Sequence, residues 1–290
     1  MSTRTECQAP RRLAWEGCLN ARELGGYPTK DGRATRWSTI IRSDNLWYLT
    51  PTGQQAVVAA GVRFILDLRM PEEAERYPNP FAIAGTHGIG YACISVIDPA
   101  VPAPDVPSLA DEYKHMLDSF SERVVAALAA IAHAPPGGVL IHCAAGKDRT
   151  GLIAALLLDL AGVARETIAA DYAPSAECLR ERDMEWLEHG PGERLERERL
   201  VAHYRPRVEV MLETLAYLDQ RYGGPDAYLL AAGLTPGDMA RLRARLLLPT
   251  DESWAQLKMS LARCWWPGSS VSWPRSMGWK SSAWRSSWLP

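Results

Sequence analysis

The fold is decided by the stretch Val-Leu-Ile-His-Cys-Ala-Ala-Gly-Lys-Asp-Arg-Thr-Gly, residues 139–151. Its first three residues are apolar and follow a Pro-Pro-Gly-Gly turn, which predicts a buried strand. Residues 152–160 are almost wholly apolar and are followed by Gly162, which predicts a helix with Thr150 at its start. Cys143 would therefore lie in a tight loop between the end of a strand and the N-terminus of a helix.

Such a loop is suited to holding an anion, because free backbone N–H groups and the positive end of a helix dipole meet there. Cys143 and Arg149 bracket enough residues to surround one phosphate-sized anion, and a guanidinium can bind that anion at two oxygens. The same positive field favours a thiolate at Cys143. A thiolate beneath a phosphate ester indicates in-line attack on phosphorus and a cysteinyl-phosphate intermediate.

The other loop residues have predicted roles around these two. Gly146 lets the backbone turn with its amides facing inward. His142 orients the loop through hydrogen bonds, and the Thr150 hydroxyl is placed to stabilise the leaving thiolate when water cleaves the intermediate. We therefore predict Cys143 and Arg149 as catalytic residues within a phosphate-binding loop formed by His142, Ala144, Ala145, Gly146, Lys147 and Thr150.

Two alternatives stay open at this point. The first is that Cys143 is a buried, inert cysteine at a strand end, which is the usual state of a free cysteine; that interpretation leaves Lys147, Asp148 and Arg149 together in one turn without explanation. The second concerns Lys147, which could contact a second phosphate of a polyphosphorylated substrate or could be a solvent-facing lysine that only raises the local potential.

Two aspartates are candidates for the general acid, which must reach the leaving oxygen. Asp148 lies within the loop, and its position favours it; its alternative role is an ion pair that holds Arg149 or Lys147. Asp98, in the sequence Ile-Asp-Pro, lies in an upstream proline-flanked loop that could close over the site.

The pattern His-Cys-x-x-Gly-x-x-Arg-Thr-Gly resembles the phosphate-binding loop of the cysteine-dependent protein tyrosine phosphatases. Its Gly-Lys-Asp-Arg-Thr-Gly form resembles a bacterial group of that superfamily, and the likeness extends over residues 14–249, notably at 20–27, 41–46, 64–69 and 222–235. The resemblance implies hydrolysis of phosphotyrosine, with phosphoserine, phosphothreonine and phosphoinositides as further substrates. It also implies an in-loop aspartate as the acid, a helical lid over the pocket, and no metal or organic cofactor.

Strands that alternate with helices predict an α/β fold with a central, mostly parallel sheet flanked by helices, followed by a helical C-terminal cap or lid. Residues 193–222 are predicted as one long helix or as two helices broken at Pro206. The predicted strands are 37–42, 62–68, 89–97 and 139–141, and the other predicted helices are 51–60, 71–77, 109–117, 122–133, 152–160, 165–172, 175–189, 225–232 and 235–247.

The resemblance implies a phosphatase domain, and composition sets two tails apart from it. Residues 1–13 are predicted to be a flexible tail, and residues 14–249 the phosphatase domain. Within it, residues 174–205 are either the lid or a plain cap with a solvated charged face. Residues 250–290 are predicted to be a disordered or aberrant tail, because 265–290 hold six tryptophans and eight serines without one acidic residue.

Composition also limits the partners. A net charge of −2 without a basic stripe argues against nucleic acid. Six scattered cysteines, with no zinc spacing, indicate reduced thiols, a cytoplasmic protein and no metal site. No signal peptide or long apolar stretch is present, so no stable membrane insertion is expected. The expected partner is a phosphorylated protein or a phosphoinositide; the alternative function is a phospho-ligand binding module that keeps the loop without turnover.

Overall fold

The structure, a computed structural model, describes residues 11–83, 86–101 and 106–249. The described residues as far as Leu248 belong to one structural unit. They contain a five-stranded sheet in the order β1-β2-β5-β3-β4, in which only the β1–β2 pair is antiparallel. This arrangement confirms the predicted mostly parallel sheet. The strands are Arg22–Glu23 (β1), Ile40–Ser43 (β2), Val62–Asp67 (β3), Gly90–Cys93 (β4) and Gly138–His142 (β5).

Strand β5 is the centre of the sheet and is buried along its whole length. It pairs in parallel with β2 on one edge and with β3 on the other. Its side chains alternate between the two faces, so that Val139 and Ile141 enter one apolar cluster and Leu140 enters the other. The strand that leads into the phosphate loop is thus held on both edges and on both faces.

Helices cover both faces of the sheet, as predicted. The larger cluster packs the helices that follow β4 and β5, and the smaller cluster packs α1 and the N-terminal segment around Trp15. The helices are Pro51–Ala59 (α1), Pro71–Arg76 (α2), Leu109–Ser119 (α3), Ser121–His133 (α4), Asp148–Leu160 (α5), Arg165–Tyr172 (α6), Ser175–Cys178 (α7), Arg180–His189 (α8), Arg194–His203 (α9), Val208–Tyr222 (α10), Pro225–Ala231 (α11) and Pro236–Leu246 (α12).

The second half of the described chain is helical, as expected of a C-terminal cap. Helices α8 and α9 contribute little to the core, because α8 has no buried residue and α9 buries only Arg197. Arg197 donates to the backbone carbonyls of Leu187, Gly190 and Gly192, which ties the two helices to each other. Residues 174–205 thus form a helical segment that buries few of its own side chains.

Two predicted strands are shorter than expected. The strand predicted over 37–42 begins only at Ile40, because Ser38 has a left-handed backbone conformation with φ of 57°. The strand predicted over 89–97 is limited to Gly90–Cys93. The Ser95 hydroxyl donates to the carbonyl of Ile97, and this local turn ends the extended segment.

Two helix predictions are corrected, and one that left two alternatives open is resolved. The helix predicted over 152–160 begins at Asp148, so Thr150 lies inside its first turn and not at its start. The helix predicted over 175–189 is broken at the buried Leu179. Residues 193–222 form two helices that end and begin on either side of Pro206, as the broken alternative required.

The two predicted tails fall largely outside the described residues. Residues 1–10 and 250–290 are not described, so the predicted disorder of both tails stays a prediction. Across the part of the chain that is described, no helix combines the length and the apolar character needed to cross a bilayer.

Candidate active site

The phosphate loop begins where β5 ends at His142 and finishes where α5 begins at Asp148. Gly146 has a left-handed φ of 65°. A Cβ atom at Gly146 would lie 2.3 Å from the carbonyl oxygen of Ser43, a separation that real Cβ atoms do not show. Glycine is therefore required at Gly146 both by backbone conformation and by the close approach of β2.

The carbonyl groups of the loop point outward to partners from distant segments. The carbonyl of Ala144 accepts from the backbone N–H of Asn45 at 3.2 Å, and the carbonyl of Ala145 accepts from the Asn20 side chain at 2.9 Å. Gly146 accepts from the Asn20 amide and from the Arg42 guanidinium. In the described residues no acceptor is found for the backbone N–H groups of 144–147. Because peptide N–H and C=O groups point in opposite directions, these amides face the centre of the loop.

A buried ionic network stands behind the loop. Arg42 donates to Gly146 at 2.8 Å and to Asp171 at 2.7 Å. Asp171 also accepts from Arg22 and Tyr27, and all of these side chains are buried. Burial alone would raise the pKa of Asp171, but Arg22 and Arg42 outweigh burial and lower the pKa. Two guanidiniums share one carboxylate in this network, and Arg42 reaches the loop directly through the Gly146 carbonyl.

The nucleophile candidate Cys143 is 2% exposed and follows a fully buried histidine. The His142 Nδ1 lies 3.2 Å from the carbonyl of Cys143, and Nε2 lies 2.9 Å from the side-chain nitrogen of Asn79. This pattern assigns a neutral ring that donates from Nδ1 and accepts at Nε2. Burial lowers the pKa of His142, in agreement with that assignment. These contacts fix the orientation of the ring, and the role of His142 in orienting the loop for catalysis stays a prediction.

Arg149 is held by a residue that the sequence did not identify. Both of its Nη groups donate to the carboxylate of Glu73 in α2, one of them at 2.9 Å. Burial alone would raise the pKa of Glu73, but its hydrogen bonds with Arg149 lower the pKa, so the carboxylate is ionised. The Arg149 Nε–H has no acceptor within the described ranges. Glu73 thus binds the two Nη groups of Arg149, and the Nε–H of Arg149 stays available to a second anion.

Asp148 lies at the N-terminus of α5 and remains about a third exposed, at 30%. Its Oδ1 accepts from the Tyr113 hydroxyl at 2.6 Å, and that hydroxyl is 2.6 Å from the Tyr172 hydroxyl. Burial, followed by the charge of Asp148, raises the pKa of Tyr113, so the phenol remains a proton donor. The pair of tyrosines orients the aspartate through Oδ1. Its Oδ2 lies 3.5 Å from the Lys147 ammonium, so the ion pair that the sequence offered as an alternative role for Asp148 is formed as well.

The alternative acid, Asp98, has other partners. Its carboxylate accepts from Arg123 at 2.6 Å and from the backbone N–H of Ala100 at 2.9 Å. Both hydrogen bonds lower the pKa of Asp98, and the one from the backbone N–H of Ala100 has the larger effect. Among the residues that the structure describes, Asp98 contacts none of the phosphate loop with a polar atom.

The two remaining loop side chains differ in their surroundings. The Thr150 hydroxyl is buried and has no hydrogen-bond partner among the described residues. The Lys147 ammonium donates to the carbonyl of Tyr204 at 2.6 Å and lies 5.4 Å from the centre of that ring. Its side chain is 12% exposed, so the simple solvent-facing interpretation of Lys147 does not describe this conformation.

Comparison with known proteins assigns the chain to a family. Residues 13–248 match the model of the tyrosine phosphatase family, and the chain belongs to this family. A tyrosine-protein phosphatase of Nostoc commune is 34% identical over 220 residues, which are 71% of this chain and 74% of that protein. The triple specificity protein phosphatase PtpB of Mycobacterium tuberculosis is 37% identical over 121 residues, or 38% of this chain and 44% of that protein.

A solved structure, that of P. aeruginosa TpbA in complex with phosphotyrosine, was also found. It is 18% identical, covers 63% of this chain and 88% of that chain, and has a TM-score of 0.28. A likeness of this size carries no argument about the site. The family assignment therefore rests on the sequence match and agrees with the predicted superfamily.

Proposed function

We propose that the protein hydrolyses phosphotyrosine monoesters through a phosphorylated Cys143. The observation that supports this most directly is the loop itself, whose carbonyls are bound from outside while its amides face inward around the cysteine. Inward amides and the Nε edge of Arg149 match the equatorial oxygens of a phosphoryl group. Phosphoserine, phosphothreonine and phosphoinositides remain further candidate substrates of the same loop.

In this proposal the Cys143 thiolate attacks phosphorus as the bond to the tyrosine oxygen breaks. Asp148 donates its proton to that oxygen, and the phenol leaves. A water molecule then attacks phosphorus, Asp148 takes one of its protons, and the bond between sulfur and phosphorus breaks. The unpartnered Thr150 hydroxyl supports a role in stabilising the thiolate as it leaves. Inorganic phosphate is released and the enzyme is restored.

We further propose that residues 174–205 act as a lid and that the protein works in a reducing, cytoplasmic compartment. The lid is supported by the absence of buried residues in α8 and by the contact of Lys147 with Tyr204 at the end of α9. Exclusion of water by such an element strengthens electrostatic interactions in the site. The compartment follows from the need for a reduced Cys143.

The proposal is tested by phosphate release from a tyrosine-phosphorylated peptide and from p-nitrophenyl phosphate. We expect turnover that EDTA does not reduce and that vanadate inhibits competitively. Vanadate resembles the transferring phosphoryl group and should bind the loop. A protein that binds the phosphopeptide but releases no phosphate would instead be a phospho-ligand binding module.

The general acid is tested by comparing Asp148→Asn with Asp98→Asn. Asparagine at Asp148 keeps an acceptor for Tyr113 but has no proton to transfer, so we expect kcat on phosphotyrosine to fall about 10²-fold. The fall should be smaller on p-nitrophenyl phosphate, whose leaving group needs less protonation. Asp98→Asn should stay within about twofold of the wild type on both substrates. The opposite ranking would transfer the acid role to Asp98.

A further inference from the structure

A groove of about 650 Å³ opens beside the phosphate loop, and Ala144 of the loop belongs to its lining. Tyr48 and Tyr77 supply an aromatic surface in this groove, with ring centroids 6.5 Å apart and Tyr48 63% exposed. Glu181 and Glu185 enter the lining from α8. We call this feature the acidic groove. It lies directly next to the atoms that would hold the phosphate.

The two glutamates are placed where their charges repel each other. They are four residues apart on α8, so both carboxylates project from the same face of the helix, which costs stability. Neither forms an ion pair with a described basic side chain, and Arg182 is the one accessible base in the lining of the groove as described. Three other lid glutamates do have partners, namely Glu177 with Arg180, Glu188 with His189 and Glu198 with Arg194, whereas Glu193 and Glu196 lie outside the lining of the groove.

The remaining acidic side chains in the lining of the groove already have hydrogen-bond partners within the protein. Glu73 is bound to Arg149, and Asp44 accepts from the backbone N–H groups of Leu19 and Asn20. Glu181 and Glu185 are therefore the carboxylates that a ligand would meet in this groove. Their natural complement is a lysine or arginine side chain.

The charge of the surrounding segment points the same way. Residues 177–199 hold eight acidic side chains against five arginines. A phosphoinositide carries additional phosphates and sits in an anionic surface, which this segment would repel. The loop cation that could have offset the repulsion, Lys147, lies 3.5 Å from the Asp148 carboxylate, which already offsets part of its charge, and it donates to the Tyr204 carbonyl. A polypeptide with basic residues beside its phosphotyrosine meets no such repulsion.

We propose that the acidic groove selects phosphotyrosine flanked by basic residues, with Glu181 and Glu185 as the specificity-determining side chains. The inference rests on the proposed phosphotyrosine hydrolysis and names the substrate class within it. Tyr48 and Tyr77 provide the apolar surface along which such a peptide lies. The structure thus favours a phosphoprotein over a membrane lipid as the substrate.

The test compares kcat/KM for three tyrosine-phosphorylated peptides of equal length, with lysine, glutamine or glutamate at the flanking positions. Each exposed ion pair contributes a factor of about 1.5 to 5, so we expect the lysine peptide to exceed the glutamine peptide about tenfold at low salt. The preference should shrink as salt is raised. The double variant Glu181→Gln/Glu185→Gln should reduce the ratio to below about twofold, while its kcat on p-nitrophenyl phosphate stays unchanged.

The control is Glu177→Gln/Glu188→Gln, which removes the same charge from the same segment outside the groove and should keep the preference. Equal turnover of the three peptides by the wild type would overturn the proposal, and so would a preference that survives in the groove variant. Faster turnover of phosphatidylinositol phosphate in phosphatidylcholine vesicles than of the lysine peptide would also overturn it. The wild type failing to hydrolyse p-nitrophenyl phosphate would count against the phosphatase proposal itself.

Discussion

The Cys143→Ser variant is expected to lose at least about 10⁴-fold in kcat on p-nitrophenyl phosphate. A serine hydroxyl does not ionise near neutral pH, so the positive field of the loop cannot convert it into a comparable nucleophile. The inward amides and Arg149 are untouched, so the affinity for a phosphotyrosine peptide should change by no more than about threefold. Steady-state kinetics and titration calorimetry measure the two quantities separately.

A matched control for this variant is Cys178→Ser. Cys178 is a free, half-buried thiol at the end of α7, outside the phosphate loop, and its replacement should leave kcat within about twofold. Near-normal turnover by Cys143→Ser would remove the cysteinyl-phosphate intermediate from the mechanism. Loss of peptide binding together with turnover would mean that the cysteine supports the loop and does not act on the substrate.

The Arg149→Lys variant is expected to lower kcat about 10³-fold although the charge is kept. Arg149 donates through both Nη groups to Glu73 and has its Nε edge left for the phosphoryl group. A lysine ammonium has no planar fork and cannot hold both partners in that geometry. The loss should fall mainly on kcat, because the charge that the guanidinium stabilises is greatest in the transition state.

The corresponding control is Arg165→Lys, which alters an arginine paired with Asp219 on the surface of α6. Exposed ion pairs contribute little, so its kcat should match that of the wild type. Vanadate inhibition gives a second measurement, since an analogue of the transition state should lose affinity in Arg149→Lys roughly in parallel with kcat. An Arg149→Lys enzyme with full kcat would show that the guanidinium does not contact the reacting phosphoryl group.

The sheet and the loop were predictable because their signals are local. The apolar run before His142 and the glycine at Gly146 lie within a few residues of the features that they specify. Glu73 was not predictable, because Glu72 and Glu73 are alike in sequence and only the packing of α2 brings one of them to Arg149. Asn20 and Asp171 were missed for the same reason, since each acts across more than a hundred residues of chain.

The wrong start of α5 has a more specific cause. Threonine is a strong N-cap residue, and this preference predicted a helix that begins after Thr150. In the structure, the anion loop needs its last amides to point inward, and helical backbone from Asp148 onward turns them that way. Local preference was overridden by the geometry of the site.

The bonds from Asn20 to Ala145 and from Arg22 to Ser175 also bear on how the protein is made. In a nascent chain, the phosphate loop cannot gain all of its supporting contacts until α7 has left the ribosome. By then the segment around Asn20, which α7 must meet, has long been synthesised. Turnover therefore depends on contacts between distant parts of the chain, and it is lost when that early segment detaches. Enzymatic assay should report partial unfolding at denaturant concentrations where circular dichroism still records an intact sheet.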